Sequence, residues 1–143
     1  MTDQFAVISP ADLSSSATVV DVRERRPYED VGHVPGAVNV PYDSFRDPSS
    51  VSTGKLPGGE EFETLLEERG IDPTDDIVAY DDERGVYAAR FLLTAAAFGH
   101  KGDLRLLDGG FDAWRQQNPV ETSVPDRADT TYEAATIDDD LVF

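Results

Sequence analysis

Apolar residues fall along this chain in short runs set off by turn residues, not in long stripes. Thr18 to Val22 (TVVDV), Ala37 to Val40 (AVNV), Ile77 to Tyr80 (IVAY) and Leu104 to Leu107 (LRLL) each hold four or five residues, mostly β-formers. Runs of this length and composition predict strands buried on both faces. Between them the spacing switches to that of helices. Glu60 to Arg69 places Phe62, Leu65 and Leu66 on one stripe and stops at Gly70, and VYAARFLLTAAAF runs from Val86 to a stop at Gly99. Phe111 to Gln117 forms a shorter helix carrying Trp114. Ser9-Pro10-Ala11-Asp12-Leu13 reads as a capped turn with Ser9 at the cap. Pro27 opens a single helical turn closed by Gly32, and His33-Val34-Pro35-Gly36 is a turn before the second strand.

Short apolar strands alternating with helices predict a single α/β domain of three layers. Its centre is a mostly parallel five-stranded sheet covered on both faces, of which the pattern locates four strands. Residues 46 to 59 are loop by composition, and the domain is expected to span residues 1–120. From Pro119 the chain turns acidic and extended, with no helical period, so residues 121–143 read as a connector or tail outside the core. Its apolar end, Leu141-Val142-Phe143, suggests that more chain follows. Parallel sheets carry ligand sites at the carboxyl ends of their strands. Three loops should therefore converge: those following Val22, beginning at Asp81 and beginning at Asp108.

The loop after IVAY is the informative one. A strand that turns directly into a helix aims the amides of the first helical turn into the loop, which makes an anion cradle. Here that loop reads Asp81, Asp82, Glu83, Arg84, Gly85, Val86, with no Cys, Ser or Thr. Asp81 can be taken as a base or as an anion that fills its own cradle, and the second reading is preferred. The acidic run could also suggest Mg²⁺ or an aspartyl nucleophile, but the latter wants Asp-x-Asp and this is Asp-Asp-Glu. Arg84 and Arg90 are expected to pair with these acids. Asp21 and Arg23 are expected to form a network under the loop, and His33 to be a turn residue bonded to main chain, not a proton shuttle. Gly109 and Gly110 serve backbone geometry, and Tyr80, Tyr87, Phe91, Phe98 and Trp114 belong to the core.

Composition narrows the chemistry. The 143 residues contain no cysteine, which excludes a disulfide, a thiolate metal site and thiol catalysis. The two histidines are not spaced as ligands, and no metal or cofactor is expected. Acids outnumber bases 29 to 12, for a net charge of −17, and 19 of the acids are Asp. That charge argues against nucleic acid and anionic membrane as partners. With only two lysines, the surface resembles that of cytosolic proteins from salt-loving archaea, the alternative being an acidic protein of ordinary habitat. The chain shows no signal peptide or membrane-length apolar run, so a cytoplasmic location is expected.

Three segments together resemble a known family. VVDVRERRPYEDVGHVPGAVNVP (Val19 to Pro41), with Asp21, Arg23, Gly32, His33, Pro35 and Gly36, is similar to the N-terminal signature of rhodanese domains. LLDGGFDAW (Leu106 to Trp114), with Asp108, Gly109, Gly110 and Trp114, is similar to their C-terminal signature, and the Asp81 loop falls where the family keeps its catalytic loop. The resemblance implies sulfane sulfur transfer from thiosulfate or 3-mercaptopyruvate to a thiophilic acceptor such as cyanide, through a cysteine persulfide. Asp81 occupies the cysteine position, and a carboxylate cannot carry a persulfide. The whole resembles the non-catalytic first half of a two-domain sulfurtransferase, whose partner would be a second rhodanese domain holding the catalytic Cys. A stand-alone, catalytically dead module that binds a protein partner is the alternative. Carboxylate or metal chemistry at Asp81 is a weaker third.

Overall fold

In the computed structural model, which describes residues 5–45 and 58–134, five strands form one sheet: β1 (Phe5–Ile8), β2 (Thr18–Asp21), β3 (Val38–Asn39), β4 (Ile77–Tyr80) and β5 (Leu104–Leu107). Their order is β1-β5-β4-β2-β3 and every pairing is parallel, so the sheet is wholly and not mostly parallel. The fifth strand is β1. Its four residues form an edge, and Val7 is 64% exposed there, which leaves no buried run for the hydrophobic pattern to reveal.

Alternation along the inner strands splits the core in two. Val20, Ile77, Ala79 and Leu104 point to one face, where α1 (Gly59–Glu67) contributes Phe62, Leu65 and Leu66 and α2 (Val86–Ala97) contributes Ala88, Phe91, Leu92 and Ala95. Val19, Val78 and Tyr80 point to the other, against Tyr28, Val34, Ala37 and Phe111 of α3 (Gly110–Gln117). After β2 the chain moves outward to β3, and after β4 it moves the opposite way to β5. The carboxyl ends of β2 and β4 therefore flank the switch point, where open parallel sheets place their sites.

Two expectations change. Ser9 does precede a helical turn (Pro10–Asp12), but its hydroxyl donates to the Asp12 carboxylate and caps no amide. Residues 121–134, expected in the connector, pack onto the domain. Glu121 forms an antiparallel bridge with His33, and Thr130 and Tyr132 bond along Glu67 and Ile71 of the α1 end. Tyr132 is 1% exposed within the core cluster, edge-on to Phe62 at 6.1 Å. One aromatic ring in an acidic, extended stretch gives no periodic signal, yet together with these bonds it pins residues 121–134 as a strap across the domain. The loop expected over 46–59 lies outside the described residues except for Gly58 and Gly59, as does the connector from residue 135 onward. No helix among the described residues is long and apolar enough to cross a membrane.

The strap is locked by a histidine. His100 Nε2 reaches the Asp75 carbonyl at 2.7 Å, and Nδ1 faces the Tyr132 hydroxyl at 2.8 Å. A neutral ring satisfies both contacts, with Nε2–H donating and Nδ1 accepting. Burial holds the His100 pKa below its ordinary 6.5 and the Tyr132 pKa above its ordinary value. In this window the unfolded chain binds more protons than the folded one, so stability falls as pH drops through 6.5 toward the lower folded value. Urea unfolding of wild type and His100→Gln between about pH 7 and pH 5 should show the wild type losing stability more steeply with acid. Equal slopes would contradict a neutral buried ring.

Candidate functional site

β4 ends at Tyr80 and the chain turns at once into the loop before α2. Asp81 is the first residue of that loop and is 1% exposed. Its Oδ1 accepts the amides of Glu83 and Gly85, both at 2.8 Å, and its Oδ2 accepts those of Tyr87 and Ala88, both at 2.9 Å. The last two belong to the first turn of α2, which would otherwise lack acceptors. The carboxylate thus occupies the centre of the amide ring, with the helix dipole favouring its charge. Neither oxygen is free to attack a phosphorus or bind a cation. Asp82, Glu83 and Arg84 are exposed, and among the described residues no group of three or more His, Asp or Glu is placed to hold a metal.

Closing this ring imposes backbone demands. Gly85 takes φ +84° directly ahead of α2, and Arg84, at φ +61°, is the one non-glycine residue with positive φ among those described. Arg84 makes no ion pair among the described residues, contrary to the pairing expected from its acidic neighbours. Gly110 packs against the same loop. A Cβ there would lie 2.4 Å from the Asp81 carbonyl oxygen, which also accepts the Phe111 amide at 3.1 Å. Gly110 therefore allows close backbone approach to the loop, while a Cβ on Gly109, at φ +75°, would meet the Ala113 side chain.

Beneath the loop lies a buried ion pair. Asp21, fully buried at the carboxyl end of β2, accepts Arg23 Nε at 3.1 Å and Nη2 at 2.7 Å. Arg23 Nη2 also donates to the Gly32 carbonyl at 2.6 Å, and its guanidinium lies 4.0 Å over the Phe111 ring. Burial acts to lower the Arg23 pKa, but the bonds and charge of Asp21 outweigh it and hold the guanidinium above its ordinary value. Tyr80 completes the network: its hydroxyl donates to Asp21 Oδ2 at 2.6 Å and accepts the Val34 amide at 3.0 Å. Burial and the Asp21 charge raise its pKa far above the phenol range. The pattern marked Tyr80 as core only; alternation shows which face it uses, not that it ties β4 to two other segments.

The remaining motif residues frame the same edge. His33 is fully buried, stacked on Tyr28 at 3.9 Å, with Nδ1 on the Tyr28 carbonyl and Nε2 on the Ser123 carbonyl, both at 2.8 Å. It is a turn residue bonded to main chain and far from solvent. Pro35 and Gly36 are exposed, and the Gly36 amide donates to Glu121. Trp114 is half-buried and donates to the Pro119 carbonyl. Beside Asp81 opens a cavity of about 540 Å³. Asp82, Asp108 and Asp112 line it against the single cation Arg84, over a floor that includes Val7 and Leu106.

Strand–loop–helix at a switch point, an amide ring and two flanking signature turns define a rhodanese-type site. The chain belongs to the Rhodanese-like domain family, whose model matches residues 9–117. It is 35% identical to a thiosulfate sulfurtransferase of Corynebacterium glutamicum over 120 residues, covering 83% of this chain and 39% of the relative. It is 32% identical to a thiosulfate sulfurtransferase of Azotobacter vinelandii over 139 residues, covering 86% and 48%. The crystal structure of SseA from Escherichia coli, described as a 3-mercaptopyruvate sulfotransferase with the rhodanese fold, superposes with a TM-score of 0.76 at 22% identity, covering 90% of this chain and 55% of that one. The chain thus spans between about a third and about half of the length of the curated relatives it matches.

Replacing Asp81 with Ala would strand four amides, of which Ala88's is buried. We expect a loss of about 2–3 kcal/mol in urea unfolding, against about 0.5 kcal/mol or less for the exposed Asp82→Ala. Equal effects would show that the ring does not hold the loop.

Proposed function

We propose that this chain is the non-catalytic half of a tandem sulfurtransferase, with Asp81 in place of the nucleophilic cysteine of the family loop. The observation that carries the reading is the carboxylate seated on the four loop amides. A thiolate or persulfide in the family's loop would draw on this same ring of donors, and here the chain satisfies it internally. The absence of cysteine leaves no atom to receive sulfur, and the acidic rim of the neighbouring cavity opposes an anionic donor. Length supports a tandem arrangement, since the relatives have room for a second unit of similar size. In it this domain would wall one side of a cleft whose catalytic cysteine sits on the other domain. Sulfur would pass there from thiosulfate or 3-mercaptopyruvate to a thiophilic acceptor. Residues beyond 134 would serve as the connector, and the location would be cytoplasmic.

A stand-alone inactive module that binds a protein partner is the second reading, favoured by exposed Val7, Val86 and Leu93. The two readings separate on the intact gene product. With thiosulfate and cyanide, this chain alone should form thiocyanate no faster than the uncatalysed mixture, whereas a full-length protein with a cysteine-bearing second domain should turn over. Turnover by the chain alone would overturn both.

The charge excess supports adaptation to high salt. Raising KCl from about 0.1 M to about 1 M contracts the Debye length from about 10 Å to about 3 Å and screens the self-repulsion of a −17 chain. The melting temperature should therefore climb across that range. A flat or falling Tm would point to an acidic protein of ordinary habitat.

A further inference from the structure

At the β3 edge the strap and the body enclose a second cavity, of about 390 Å³, which shares no lining residue with the one beside Asp81. Three of the chain's twelve basic residues line it: Arg25, Arg69 and Arg127. On a molecule of net charge −17 this is an unusual gathering of cations, and two of the three meet a carboxylate only at the long end of ion-pair distance. Arg69 donates from Nε to the Asn39 carbonyl at 2.7 Å and from Nη1 to the Leu65 carbonyl at 3.0 Å. The Glu68 carboxylate lies 4.0 Å from its Nη1. Arg127 donates from Nη2 to the Gly70 carbonyl at 3.0 Å, with Asp75 at 3.8 Å. Carbonyls orient a guanidinium but do not neutralise it. Burial correspondingly holds the Arg69 pKa below its ordinary value, only partly opposed by Glu68. Among the described residues, Nη2 of Arg69 and Nε and Nη1 of Arg127 have no acceptor.

The remaining walls determine what such donors can take. Val38, Pro41, Val124 and Pro125 supply apolar surface, so a bare inorganic anion would leave much of the cavity wet. A volume near the lower end of the range for small-molecule sites suits a compact body. Planar guanidinium forks match a carboxylate by paired hydrogen bonds. Glu29, which holds Arg25 at 2.6 Å, and Glu68 also line the cavity and oppose additional negative charge. We propose that the cavity between Arg69 of the body and Arg127 of the strap binds a small organic monocarboxylate with an apolar body. Because Arg127 belongs to the strap and Arg69 to α1's exit, the ligand would also fasten one to the other. The site is independent of sulfur chemistry at the Asp81 loop, so its failure would leave that reading untouched.

Benzoate is the probe, with benzamide as its uncharged counterpart, titrated by ¹⁵N NMR into the full 143-residue chain at constant KCl. Benzoate should shift the amides of Asn39, Gly70 and Val124 saturably, with benzamide at least about tenfold weaker. Arg127→Gln should weaken benzoate by about tenfold or more, while Arg115→Gln, on α3, should leave it unchanged. Since Arg69 also ties two carbonyls, Arg69→Lys is the folded test there: it keeps the charge, loses the fork and should weaken binding. Equal response to benzamide, absence of saturation, shifts confined to other residues, or unchanged affinity in Arg127→Gln would each overturn the proposal.

Discussion

One carboxylate closed into a ring of its own main-chain amides is the constraint on which this domain's working edge depends. Parallel strands deliver loops to one edge, and the turn from β4 into α2 leaves several amides without helical acceptors. Asp81 supplies two oxygens to four of them, sets the left-handed backbone at Arg84 and Gly85, and presents its carbonyl to Phe111. The amides that the loop presents are thereby satisfied by the chain itself.

A second carboxylate keeps that edge in register. Asp21 is fully buried, and a carboxylate in such a place is tolerable only with its full set of partners. Arg23 and Tyr80 provide them, and each partner does further duty. Arg23 reaches the Gly32 carbonyl and stacks on Phe111, while the Tyr80 hydroxyl accepts the Val34 amide. The signature residues therefore act as a brace between the carboxyl ends of β2 and β4 and the two flanking turns. Among the described residues no buried side-chain nitrogen or oxygen lacks a partner, consistent with a low-dielectric region that penalises omissions.

The strap over residues 121–134 enlarges the domain beyond its compact sequence motif. His33 and Gly36 grip its start through Glu121 and Ser123, and His100 and Tyr132 lock its end into the core. The turn within the family signature thus also holds the chain as it leaves α3. In doing so it encloses the arginine-lined cavity at the β3 edge, a feature without any contiguous motif.

Local pattern determined much of this protein. Four strands, three helices and the loop headed by Asp81 follow from residue spacing, because buried strands and amphipathic helices leave periodic marks. The glycine turns and the Asp21–Arg23 pairing were legible for the same reason, their geometry being set within a few residues. β1 left no such mark, since an exposed edge strand of four residues has no buried alternation. Nor did the strap, whose seat depends on Tyr132 meeting Phe62 and His100, partners 70 and 32 positions away. The hub role of Tyr80, the lack of an ion pair at Arg84 among the described residues and the meeting of Arg25, Arg69 and Arg127 were likewise decided only in three dimensions. Sequence specifies contacts within a turn or a helical repeat, whereas contacts across such separations exist only after the sheet has brought their elements together.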